Sequence, residues 1–407
     1  MDDTPKRFSV VRDRAVLLLW ISRVASMVAF QMLGVTLGWQ LYALTSNPLD
    51  LGLIGLFQFV PAALLSIVAG QAADRLDRSL VLRLAQTLEA CAALMLAITT
   101  ATGVVDRTWI FGAAFMLGAA RAFEITAFQT IVPVIVARAH LTRAIAALAS
   151  AQQIATIGGP ALGGFLYLIG PTFVHSLCGA LFFAAGVCVL FVRTGGAAKL
   201  REPLTANALF AGFGYIRRNP IILGAISLDL FAVLLGGALA LLPAFARDVY
   251  GTGPWGVGLL RAAPALGALV ISVTLARAPL AGGVGRIMFA CVAVYGIMTV
   301  AFALSPSFYL SMAVLAVLGV ADMVSVVIRQ TLIQVETPDA MRGRVSAVNA
   351  LFTGTANQLG DFRAGAMATA FGIVPAVLIG GICTLLVVAA AMRAFPPLLR
   401  VDRLHKD

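Results

Sequence analysis

The sequence predicts an all-α membrane protein of twelve transmembrane helices, and three observations lead there. Of its 407 residues 60% are apolar and only 12% charged, with a mean hydropathy of +0.97. A soluble domain is nearer half apolar and a quarter charged. Uncharged stretches recur from end to end, each close to the roughly 20 residues that cross a bilayer core as a helix. Finally, positive charge is periodic. Lys and Arg collect in the termini and in every second loop, beginning with the loop after the second span, and only Arg107 and Arg247 fall in the opposite loops. The positive-inside rule then puts both termini and the central link in the cytoplasm. The net charge of +11 is a topology signal, and no nucleic-acid motif accompanies it.

Apolar runs between charged or Pro/Gly breaks delimit the elements in order. Six spans cover 15–44, 51–69, 80–100, 109–136, 144–168 and 172–192. A polar, basic link follows at 193–219. Six more spans cover 220–246, 254–275, 287–304, 308–335, 344–371 and 374–394. The predicted organisation is a six-helix half at 1–192, a cytoplasmic linker at 193–219, and a second six-helix half with a short basic tail at 220–407. Residues 1–14 are polar and the run after them is too long for a signal h-region, so no cleavable signal is expected. Cys91, Cys178, Cys188, Cys291 and Cys383 lie in apolar runs without ligand spacing, so they read as small buried hydrophobes. With three scattered histidines there is no metal site to propose. The absence of a Walker-type loop argues against ATP-driven transport, and no enzyme chemistry is expected.

The halves repeat. "LTRAIAALASAQQIATIGGPALGG" after span four aligns with "MRGRVSAVNALFTGTANQLGDFRAG" after span ten. Arg143 pairs with Arg344, Gly159 with Gly360 and Gly164 with Gly365, each 201 residues on. A six-plus-six parallel repeat is the architecture of major facilitator transporters, which place the cargo site between the halves.

Two motifs carry the same resemblance. "GQAADRLDR" after span two resembles the major facilitator loop signature through Gly70, Asp74, Arg75 and Arg78, although Asp77 stands where a second glycine is usual and Ser79 where a base is. Asp74 is expected at the start of span three, complementing the positive end of that helix, and Gly70 is expected to permit the short turn. With Arg344 of "MRGR" at the equivalent edge of the other half, these residues form a candidate cytoplasmic gate. The second motif, "GPALGG" in span five, matches the antiporter signature through Gly159, Pro160, Gly163 and Gly164. Small residues let lipid-buried helices approach closely, and proline kinks a helix where neighbours satisfy the freed carbonyl. That smooth, kinked face is expected against the other half, as a hinge.

"WISRVASMVAFQML", "WQLYALTSNPLDLGLIGL", "AGFGYIRRNPIILGAISLDL" and "TLIQVETPDAMRGRVSAVNALFTG" resemble the enterobactin (siderophore) exporter branch, which also holds macrolide and multidrug efflux proteins. The resemblance implies a proton-coupled exporter of a siderophore or drug-like amphiphile from the cytoplasm. It would be a multi-pass protein of the bacterial-type inner (plasma) membrane, a monomer with no cofactor beyond the proton gradient. A lipid or lysolipid flippase on the same fold, or a transport-inactive sensor, are the alternatives.

The charged residues within spans, away from their terminal turns, are the acids Glu89, Glu124, Asp229, Asp322 and Asp361 and the bases Arg23, Arg121, Arg261, Arg329 and Arg363. A charge at the bilayer centre costs roughly 3 kcal/mol, so each is expected to face a cavity or a partner. In this fold spans one, four, seven and ten line the cavity. The substrate-cavity candidates are therefore Arg23, Gln31, Arg121, Glu124, Asp229, Arg261, Asp322 and Arg329. Burial disfavours the charged form of a carboxylate, which is what a proton carrier needs. Asp229 has no arginine within a turn on its own helix and is the expected carrier. Glu124, beside Arg121, is expected as the cargo or relay carboxylate, with Asp322 as the next candidate for coupling.

Overall fold

In a computed structural model the chain is described for residues 14–136, 140–192, 206–278 and 282–402. Among these residues the regular structure is helical. The first half contains α1 (Arg14–Thr45), α2 (Pro48–Arg75), α3 (Arg78–Ala101), α4 (Arg107–Ile135), α5 (Leu141–Leu166) and α6 (Pro171–Leu190). Then come α7 (Ala206–Arg218) and α8 (Pro220–Gly236), which leads into a 3-10 turn (Leu239–Leu241), the short α9 (Leu242–Ala244) and a π turn (Phe245–Val249). The remainder is α10 (Pro254–Arg277), α11 (Val284–Leu304), α12 (Phe308–Glu336), α13 (Asp339–Phe371), α14 (Ile373–Ala394) and α15 (Pro396–Leu399).

Local chemistry sets the helix starts. Asp106 accepts from the Thr108 and Trp109 amides at 2.8 and 3.1 Å, capping α4. Asn219 accepts from the Ile221 and Ile222 amides at 3.0 and 3.2 Å, and Pro220 supplies the first helical residue of α8. These caps satisfy N–H groups that a helix start leaves unpaired. Gly372 holds φ at +94°, a conformation L side chains rarely adopt, and so lets α13 turn sharply into α14.

Ten of the described segments are long and apolar enough to cross a membrane. The predicted spans five and eleven are helices of 26 and 33 residues, α5 and α13, but fall outside that set. Their polar and small residues, Gln152 and Gln153 in α5 and Asn349, Thr353, Gln358 and Asp361 in α13, lower their apolarity. They are also the pair that carries the sequence repeat.

The chain divides into two compact units, one comprising Met1–Gln40 and Phe57–Pro203 and the other Leu41–Leu56 and Leu204–Asp407. The boundary near 203 lies within the predicted linker. The assignment of Leu41–Leu56 to the second unit was not predicted, and it follows from close backbone packing. A Cβ on Gly52 would stand 2.7 Å from the Asp361 carbonyl, and one on Gly365 would stand 2.8 Å from that of Pro48. Residues 193–205 of the linker lie outside the described residues. The rest of the linker contains α7, whose Ile216 packs with Ile222, Ile226, Ile333, Val345 and Val348 of the second unit. The Tyr215 hydroxyl donates to the Glu336 carbonyl at 2.7 Å.

The repeat extends beyond the aligned stretches. A Cβ on Gly118 of α4 would collide with the Gln58 carbonyl of α2, and one on Gly319 of α12 with the Pro264 carbonyl of α10. These two glycines are again 201 residues apart. The two units therefore use the same close crossing, between their second and fourth spans.

Candidate functional site

Among the described residues each unit holds a cluster of buried polar and charged side chains around one pair of repeat positions, 121 and 124 in the first and 322 and 325 in the second. In the first unit the cluster is built by α1, α3, α4 and α5. Arg121 and Glu124 lie three apart on α4, one helical turn, and form an ion pair. The Ser26 hydroxyl of α1 also donates to Glu124. Arg23 Nη1 lies 4.0 Å from Glu124 Oε1, and its Nη2 donates to Gln152 Oε1 of α5 at 3.5 Å. Both guanidiniums lie over aromatic rings, Arg23 over Phe128 at 4.7 Å and Arg121 over Phe30 at 4.6 Å. Cation–π contact of this kind helps hold a cation in an apolar setting. Glu89 of α3 is fully buried, and among the described residues neither of its carboxyl oxygens has a hydrogen-bond partner.

In the second unit the cluster is built by α8, α11, α12 and α13. Asp229 Oδ2 of α8 lies 2.5 Å from Arg329 Nη1 of α12, with both residues buried. Arg329 Nη1 also donates to Thr353 Oγ1 at 3.0 Å and Asn349 Oδ1 at 3.4 Å, both on α13. Asp229 therefore does face an arginine. None lies within a turn on its own helix, but the facing helix supplies one, a contact that intrahelical spacing does not reveal. Asp322 of α12 makes no salt bridge among the described residues. It lines a small cavity with Asp229, Ser325, Tyr295 and Cys291, whose volume of about 10 Å³ is that of a single water-sized site.

Arg261 of α10 interacts electrostatically with Asp361 of α13, and Asp361 acts on Tyr295 as Asp229 and Asp322 do. Gln31 and the antiporter glycines meet inside the first unit. A Cβ on Gly159 would lie 2.6 Å from the Gln31 Cβ, and one on Gly163 would lie 2.9 Å from Met32 Cα and 3.0 Å from its carbonyl. These glycines thus face α1 of their own unit, which corrects the expectation that they face the other half. A helix-on-helix approach this close needs a partner backbone, and α1 supplies it. Pro160 and Gly164 are buried in the same helix. The repeat holds here as well, since a Cβ on Gly360 would stand 2.8 Å from the Val233 carbonyl of α8.

The loop motif needs two corrections. Helix α2 continues to Arg75, so Asp74 sits in its last turn and does not begin α3. Asp77 caps α3, its carboxylate accepting from the Ser79 amide at 2.9 Å. Gly70 lies within α2, and a Cβ there would meet nothing within 4 Å, so no turn requires it. Arg75 is exposed, Arg78 is buried, and Arg344 is exposed in the first turns of α13.

Ser325 and Tyr295 did not stand out in the sequence. Ser325 was nonetheless traceable, because it lies 201 residues after Glu124, as Asp322 does after Arg121. Tyr295, on a span not expected to line the cavity, carried no such signal.

Residues 6–404 match the family described as transmembrane secretion effector, a branch of the major facilitator transporters. The chain belongs to that family. Relatives include the enterobactin exporter of Shigella dysenteriae serotype 1, 25% identical over 397 residues and 93% of each chain. The enterobactin exporter of Escherichia coli O139:H28 is 25% identical over 391 residues, 92% of each chain. Among solved structures, a nucleoside transporter superposes with a TM-score of 0.76 at 16% identity, covering 94% of this chain and 99% of that one. A bacterial homologue of the iron transporter ferroportin gives 0.69 at 20%, covering 97% and 100%. The protein is a multi-pass membrane transporter with the major facilitator fold, related to exporters.

Proposed function

We propose that the protein is a proton-driven antiporter that exports a siderophore or drug-like amphiphile from the cytoplasm. It would work as a monomer in the inner membrane, with both termini cytoplasmic and no resident cofactor. The similarity to enterobactin exporters along nearly the whole chain supports the export direction and the cargo class. With no nucleotide-binding loop in the sequence, uphill export draws on an ion gradient, worth about 2.3 kcal/mol per charge per 100 mV.

The observation that carries the coupling assignment is the different pairing of the three candidate carboxylates on spans four, seven and ten. Glu124 is held by Arg121 and Ser26, and Asp229 by Arg329, while Asp322 lines the small cavity with no salt bridge among the described residues. A buried carboxylate with a cation at hydrogen-bond distance is stabilised in its charged form, and one without that contact is not. Asp322 is therefore the proton carrier in this reading. Asp229 and Arg329 form the pair that responds to its charge, and Glu124 contacts cargo in the first unit.

The test is export from proteoliposomes under an imposed pH gradient, with counterflow measured alongside across a panel of siderophores, drugs and lysolipids. Asp322→Asn is expected to lose gradient-driven accumulation while keeping cargo exchange. Accumulation at the wild-type level in that variant refutes the assignment. Movement of lysolipid alone favours a flippase.

A further inference from the structure

The repeat-related positions of the two clusters carry opposite chemistry. In the first unit, positions 121 and 124 hold an arginine and a glutamate, so the carboxylate has a cation built into the chain. In the second unit the same positions, 201 residues on, hold Asp322 and Ser325. The acid has moved to the place of the arginine and a hydroxyl has replaced the acid, so no built-in cation remains at either. The nearby Arg329 is committed to Asp229 at 2.5 Å and to Thr353 and Asn349. Asp361 and Arg363 act electrostatically on Tyr295 at the cavity wall, and among the described residues no base forms a salt bridge with Asp322, whose negative charge is left without an ion-pair partner.

That charge adjoins a site of the right size. The cavity between Asp229, Asp322 and Ser325 has room for about one water-sized particle. Ser325, which lines this cavity, is 2% exposed, and among the described residues its hydroxyl oxygen has no hydrogen-bond partner. Buried hydroxyls are rarely left unsatisfied. Carboxylate and hydroxyl oxygens are the hard donors that an alkali cation takes.

We propose that Asp322, Ser325 and Asp229 form a binding site for a small alkali cation of sodium size, which supplies the positive charge that Arg121 supplies in the other unit. The occupant and a proton on Asp322 compensate the same negative charge, so the two compete. The site rests on the coupling reading only in sharing Asp322, because binding is measurable without transport.

The experiment is equilibrium binding of radiolabelled sodium to the purified full-length protein in nanodiscs, with lithium and potassium as competitors. Saturable binding is expected at alkaline pH, displaced by acid and by lithium more readily than by potassium. Ser325→Ala is expected to weaken it by about 10–100-fold, and Asp322→Asn to abolish it. Retained monodispersity and a thermal transition near that of wild type show that each variant is folded. Ser325→Ala removes one oxygen atom and serves if Asp322→Asn does not fold. No saturable sodium binding at concentrations up to about 0.15 M, or binding unchanged in Ser325→Ala, overturns the site. Proton-driven export without sodium binding refutes the cation site alone. Sodium binding with export indifferent to pH refutes the coupling reading and leaves the site standing.

Discussion

Replacing Gly163 of α5 by alanine sets the smallest side chain against the backbone of α1. The added Cβ would stand 2.9 Å from Met32 Cα and 3.0 Å from its carbonyl oxygen, while ordinary contact begins at 3.4 Å. Because the obstacle is main chain, no side chain can rotate away, and the two helices must separate by about 0.5 Å. Overpacking of this kind costs about 1–3 kcal/mol. Alanine also favours a helix over glycine by about 1 kcal/mol, so the fair reference is a second glycine on the same helix. Gly158 is that reference, since a Cβ there meets nothing within 4 Å. Taking about 2–4 °C per kcal/mol for a unit of this size, Gly163→Ala is expected to melt roughly 2–12 °C below Gly158→Ala. The assay is fluorescence-detected thermal unfolding of both variants in the same detergent, with cargo counterflow measured in parallel. Gly163→Leu, with more bulk, should abolish cargo movement. Equal melting temperatures and equal flux for the two alanine variants would refute the claim that backbone contact between α5 and α1 organises the first unit.

Removing Arg329 strands Asp229 in the second unit, so Arg329→Ala is expected to destabilise by about 3–5 kcal/mol. Yield and thermal unfolding should recover in the Asp229→Asn/Arg329→Gln double variant, and no recovery would mean the pair is not the unit of stability. Asp77→Ala removes the cap of α3 and is expected to cost about 1 kcal/mol, read as a small drop in melting temperature with cargo exchange retained. Asp74→Asn is expected to leave folding and surface expression intact and to lose most transport. Wild-type flux in that variant would remove Asp74 from the gate.

The sequence alone determined the class, because membrane helices are written in composition. Apolar length, the basic bias of alternate loops and the 201-residue repeat each follow from the bilayer or from duplication, and none requires knowledge of contacts. It also identified the charged residues, because each polar group within a span is a departure from a uniform background. Only the tertiary structure decided their partners. Spacing along a helix reveals Arg121 beside Glu124, three residues away, but not Arg329 beside Asp229, which comes from another helix a hundred residues on. The lack of a partner for the Ser325 hydroxyl among the described residues and the place of Leu41–Leu56 in the second unit were hidden for the same reason. The glycines show the division most plainly. Their spacing predicted a close helix contact, but which helix fills the groove depends on how the six helices pack. The nearest backbone proved to be α1 of the same unit.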